Sequence, residues 1–121
     1  MDRIFFIISG ILGATGVALG AFGAHGLRSR LTPERLETFE TGVRYQMYHA
    51  LVLLATAWAA RSFPASPLPG ISGWLFLAGV LLFSGSLYLL VFTGKHWWGA
   101  ITPVGGVAFI AGWLCLAAAA L

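Results

Sequence analysis

Residues 4–24 contain no charged side chain, and that run limits what the rest of the chain can become. A helix needs roughly 20 apolar residues to cross a hydrocarbon core about 30 Å thick. Three further stretches reach that length: 43–60, polar at its start, 71–92, and 101–121. An isolated strand in lipid would leave its backbone hydrogen-bonding groups unpaired, so each stretch is expected to be helical. Composition agrees. The chain is 59% hydrophobic and 9% charged, whereas a soluble domain has about 25% charged residues. So few charges cannot cover a soluble surface. The expectation is one membrane domain over residues 1–121, all-α, built as an integral membrane four-helix bundle in up-and-down order.

The connections fit this plan. Thr32-Pro33-Glu34 has the form of a helix start, with Thr as N-cap, Pro at the first helical position and Glu near the positive end of the dipole. A helical cytoplasmic segment at 33–42 is expected to run into the second span, with Gly42 as its weak point. RSFPASPLPG at 61–70 is a proline-rich loop, and TGKHWWG at 93–99 a short interfacial turn. Thr102-Pro103 repeats the cap-and-proline signal, or marks a kink. His25 before Gly26 suggests a helix C-terminus with a glycine cap. Trp58 and Trp74 flank one membrane face and Trp97 and Trp98 the other, as an aromatic belt, while Trp113 falls mid-span and is expected between helices. A cleaved signal peptide is the rival reading of the first span, but its apolar run exceeds the usual core, so a retained helix is favoured.

Orientation follows from the basic residues. Arg28, Arg30, Arg35, Arg44 and Lys95 lie in or beside the first and third loops, against Arg3 and Arg61 on the other side. Loops one and three are therefore expected in the cytoplasm and both termini outside. The formal net charge is +3, but the basic residues form no stripe, so no nucleic-acid partner is expected. Cys115, the single cysteine, reads as a small hydrophobe.

Helix pairing in lipid relies on small residues that let backbones approach. The first span has Gly13, Gly16, Gly20 and Gly23 at three- and four-residue spacing. These glycines serve either a tight bundle or, in addition, a contact through helix one with another membrane protein or a second copy.

The polar start of the second span is the candidate polar site. Glu40, Arg44, Tyr45, Tyr48 and His49 recur at helical spacing, with Gln46 among them. Glu40 and Arg44 are expected to pair. His49 lies roughly 9 Å below a boundary at Val43, deep enough that it is expected to face the bundle. The run is read either as a structural anchor or as the lining of a pocket for a proton, headgroup or small solute. His25, Ser84, Ser86 and Tyr88 are possible additional members, the last three bonding across helices. The three histidines lack ligand spacing and acidic partners, so no metal site and no cofactor are expected. No nucleophile–base pair, phosphate loop or paired carboxylate occurs, and an enzyme is not expected.

Several stretches together carry a resemblance: GAFGAHGL at 20–27, TGVRYQMYHAL at 41–51, LFSGSLYLL at 82–90 and TGKHWWGAITPVGG at 93–106, with Gly112-Trp113 beyond. The chain resembles the small four-helix membrane family known as domain of unknown function 423, which includes bacterial inner-membrane proteins and the animal transmembrane protein 256. The resemblance implies a four-helix protein of the bacterial cytoplasmic membrane. It implies no activity. The family pattern covers His25, Arg44, Tyr45, Gln46, Tyr48, His49, Ser84, Ser86, Tyr88, Thr102 and Pro103, without assigned roles. The functional expectation is a small membrane protein of unknown activity, acting as an accessory, assembly or self-associating component. The alternative is a small-solute or proton transporter or channel that uses the polar face of helix two.

Overall fold

A computed structural model describes residues 2–121. Helix α1 covers Asp2–Leu27, α2 Pro33–Ser62, α3 Leu68–Thr93 and α4 Thr102–Ala119. A 3₁₀ turn over His96–Ala100 leads into α4. No strand occurs among the described residues. Three stretches, namely α1, α3, and α4 with its preceding turn, are long and apolar enough to cross a membrane. Helix α2 is the longest at 30 residues, but Arg44, Gln46 and His49 dilute its apolar character.

The helix ends follow from local chemistry. Thr32 Oγ1 accepts from the Arg35 amide at 3.2 Å, and Pro33 occupies the first turn where no amide partner is needed. From there α2 continues through Gly42 without a break. Pro69 sits in the first turn of α3, which shortens the irregular connection to residues 63–67. Helix α3 stops at Gly94, whose φ of 70° lets its amide reach Leu90 O at 2.9 Å.

Two expected caps are corrected. Gly26 does not end α1; the helix widens into a π turn over Gly23–Leu27, and the chain leaves through amides of Arg30 and Leu31 that both donate to Leu27 O. Thr102 is not an N-cap either. It is the first helical residue, and its hydroxyl is engaged with Ser86 across the α3–α4 interface.

Neighbouring helices are antiparallel. Ser9 meets Ala50 between α1 and α2, Ser84 meets Gly42 between α2 and α3, and Ser72 meets Gly112 between α3 and α4. Helix α1 packs mainly on α2, and α4 mainly on α3. The two central helices therefore separate two outer ones. Buried apolar residues gather in two clusters. One holds Phe5, Leu53, Phe76 and Phe109. The other, toward the first and third loops, holds Leu27, Phe39 and Val91. Between them lies a polar band of Gln46, Ser84 and Tyr88. The outer helices turn Phe6, Ile7 and Val17 of α1 and Val104, Val107 and Ile110 of α4 outward, as a lipid-facing surface requires.

The Gly105 position shows how close the packing is. A Cβ there would lie 2.8 Å from the Phe83 Cα, so α3 and α4 touch backbone to backbone. Only glycine permits that approach.

Candidate functional site

The polar run of α2 is divided among three directions. Glu40, Arg44 and Tyr48 point outward and are exposed. The expected Glu40–Arg44 pair does not form: Arg44 Nη2 donates to Thr41 Oγ1 at 3.1 Å instead. Gln46 turns toward α1 and α3, and His49 toward α4. Tyr45 lies partly exposed against Phe83, with ring centroids 4.5 Å apart.

Gln46 is buried and fully engaged. Its Nε2 donates to Leu12 O and to Thr15 Oγ1, both at 2.9 Å, and its Oε1 accepts from the Tyr88 hydroxyl at 2.7 Å. One side chain thus ties α1, α2 and α3 together. Ser84, just before Tyr88 on the same face, donates to Gly42 O at 2.7 Å. The Tyr88 ring lies where a side chain on Gly42 would be, at 2.8 Å from the Cβ position, so the residue that seemed to weaken α2 makes room for the band.

His49 is 3% exposed. Its Nδ1 lies 2.7 Å from Tyr45 O, and its Nε2 3.2 Å from Trp113 Nε1. A carbonyl only accepts and an indole N–H only donates. Both bonds together require the neutral ring with its proton on Nδ1. The imidazole stacks on Phe109 at 3.6 Å between centroids and 8° between planes. Trp113, expected between helices, has its polar edge inside, on His49, and is 47% exposed. Tyr45, His49, Phe83, Gly106, Phe109 and Trp113 line most of a cleft of about 340 Å³ where α2 and α4 diverge.

The remaining residues lie elsewhere. His25 is exposed on the π turn of α1, and Ser86 bonds Phe83 O and Thr102 on the α3–α4 side. No group of three or more metal-binding side chains occurs among the described residues. Gly16, Gly20 and Gly23 face Met47, Val43 and Phe39 of α2. Gly13 does not join them, because nothing lies within 4 Å of its Cβ position. The site includes partners the sequence reading passed over, Ser9, Thr15, Ser72 and Phe109. For the first three the available signal was a hydroxyl inside an otherwise apolar span; Phe109 carried none.

The family model for a protein of unknown function, DUF423, matches residues 19–106. The chain belongs to this family. Among its relatives, the UPF0382 membrane protein YwdK of Bacillus subtilis is 45% identical over 98% of this chain and 97% of its own length. The UPF0382 inner membrane protein YgdD of Escherichia coli is 40% identical over 99% of this chain and 91% of its own. A UPF0382 membrane protein of Haemophilus influenzae is 41% identical over 97% of this chain and 93% of its own. No solved structure matches the chain. With its helices, these relatives make the DUF423 chain a membrane protein, and the name of the Escherichia coli relative places that relative in the inner membrane.

Proposed function

We propose that this DUF423 protein is an accessory or assembly component of the bacterial cytoplasmic membrane, not an enzyme, and that it works by holding another membrane protein or a second copy against α1. The observation behind this reading is the division of the α1 glycines. Gly16, Gly20 and Gly23 serve the contact with α2, whereas Gly10 and Gly13 meet nothing within 4 Å. A helical glycine with no neighbour costs up to about 1 kcal/mol relative to alanine, and in lipid its use is close helix approach.

All four helices cross the bilayer in this reading. Helix α2 accompanies α1 from the Asp2–Arg61 pair to the Gly23–Phe39 contact, so it shares the depth of an apolar helix. The excess of Arg28, Arg30, Arg35, Arg44 and Lys95 over Arg3 and Arg61 supports a cytoplasmic side for the first and third loops. Transport through helix two gains less support, because Gln46 and His49 have their polar atoms engaged within the chain.

The test places a photo-crosslinking residue at Gly10 or Gly13 in the native membrane, and at Val107 of α4 for comparison. The expected result is a discrete protein adduct from α1 and none from Val107, lost when Gly13→Leu is added to the Gly10 probe. Labelling of lipid alone from α1 would overturn the proposal.

A further inference from the structure

The cleft between α2 and α4 is separate from the α1 face and has its own chemistry. Its floor is the stacked His49–Phe109 pair, and its walls include Tyr45, Phe83 and Trp113. Gly106 leaves it open, since nothing lies within 4 Å of that Cβ position. Ile110, 62% exposed, and Trp113 place its mouth on the side of α4 that faces lipid. A volume of about 340 Å³ lies near the lower end of small-molecule sites, roughly 300–1,000 Å³. The larger clefts elsewhere lie by the connection at residues 63–67 and at the ends of the helices.

The polar inventory of the cleft narrows its ligand. His49 and Trp113 bond each other, and the second imidazole nitrogen is held by Tyr45 O. Neither has a donor to spare. The Tyr45 hydroxyl is different: no hydrogen bond joins it to any described residue, and the residue is 38% exposed. That phenol, on a residue that lines the cleft, offers one donor to a molecule arriving through the bilayer. Ring walls favour a flat apolar body.

We propose that this cleft binds a lipid-soluble amphiphile that presents a carbonyl oxygen to the Tyr45 hydroxyl and lays an apolar body on Phe109 and Trp113. Two membrane sources carry that oxygen, a quinone ring and the acyl ester of a phospholipid. Gly106→Leu fills the cleft from a position with free space, so the fold is retained. Ile110→Trp fills it from the mouth. Tyr45→Phe removes only the donor.

The experiment uses the full chain in nanodiscs and an azido-naphthoquinone as photoprobe, with adducts mapped by mass spectrometry and folding checked by circular dichroism. The expected result is labelling centred on residues 106–113, competed by unlabelled naphthoquinone, absent in Gly106→Leu and Ile110→Trp, and about tenfold weaker in Tyr45→Phe, as for loss of about 1.4 kcal/mol. Discs of diester and of diether phosphatidylcholine separate the sources. Equal labelling in both identifies the ring carbonyl as the preferred ligand. Labelling that emerges only in diether discs identifies the phospholipid ester as a competing occupant. Uniform labelling of the outer helix faces in both discs, unchanged by the filling variants, would overturn the proposal.

Discussion

The Tyr88 hydroxyl donates to Gln46 Oε1 at 2.7 Å, and both side chains lie between two apolar clusters. In lipid, an interhelical hydrogen bond contributes about 0.6 kcal/mol on average and up to about 1.7 kcal/mol. Removing a central member costs more, because its partners remain buried.

Gln46→Ala is therefore expected to destabilise the protein by about 2 kcal/mol and Tyr88→Phe by about 1 kcal/mol. The double variant should cost less than their sum. Reversible unfolding in mixed micelles measures all three. Strict additivity would show that the two groups do not act as a pair.

Adjacent glycines at the α3–α4 contact should respond in opposite ways. Gly105→Ala drives a Cβ into the Phe83 backbone and is expected to cost about 2–3 kcal/mol. Gly106→Ala meets open space and should be neutral or stabilising by up to about 1 kcal/mol. Thermal unfolding of the two variants in one detergent provides the comparison, and equal effects would contradict the backbone contact.

His49 contributes a ring as well as two hydrogen bonds. His49→Phe keeps the stack on Phe109 and leaves the Trp113 indole N–H without its acceptor, a change of about 1–2 kcal/mol. His49→Ala also empties the ring's volume and should cost about 3–5 kcal/mol. Unfolding free energies test the order, while Trp113 emission, read against a Trp113→Phe background, should shift in both variants.

The pair between Arg61 Nη1 and Asp2 Oδ2, 3.7 Å apart with side chains 83% and 38% exposed, joins the start of α1 to the last turn of α2. Exposed pairs of this kind contribute about 0–1 kcal/mol. Arg61→Ala is expected to leave the unfolding midpoint within about 0.5 kcal/mol of the parent. A large loss would mean that this end of the bundle depends on charge.

Much of the fold was legible because lipid imposes simple rules. Charge-free runs marked α1, α3 and α4, and Thr32-Pro33 marked the start of α2. The boundaries that escaped involved tertiary choices: Gly26 is absorbed into a π turn, and the Thr102 hydroxyl has Ser86 to bond. Spacing grouped Glu40, Arg44, Tyr45 and His49 on one side of α2, but a helix face is broad. Which neighbour each side chain meets was decided by where α1, α3 and α4 lie, and sequence periodicity in α2 alone does not contain that information. The partners of Gln46, in particular, are a main-chain oxygen at Leu12 and a threonine hydroxyl in another helix.

Ser9, Ser72 and Ser84 each address a main-chain oxygen on the neighbouring helix, at Ala50, Gly112 and Gly42. Such a bond is indifferent to the chemical identity of the residue that supplies the acceptor. Drift at position 50 can alter size and shape while the oxygen stays in place, so the hydrogen bond itself constrains only the serine, and limits such as that at Gly42 come from other neighbours. These three contacts should therefore leave no trace of paired substitutions in the family's history. A contact map inferred from covariation would then underweight the junctions that set the helix register.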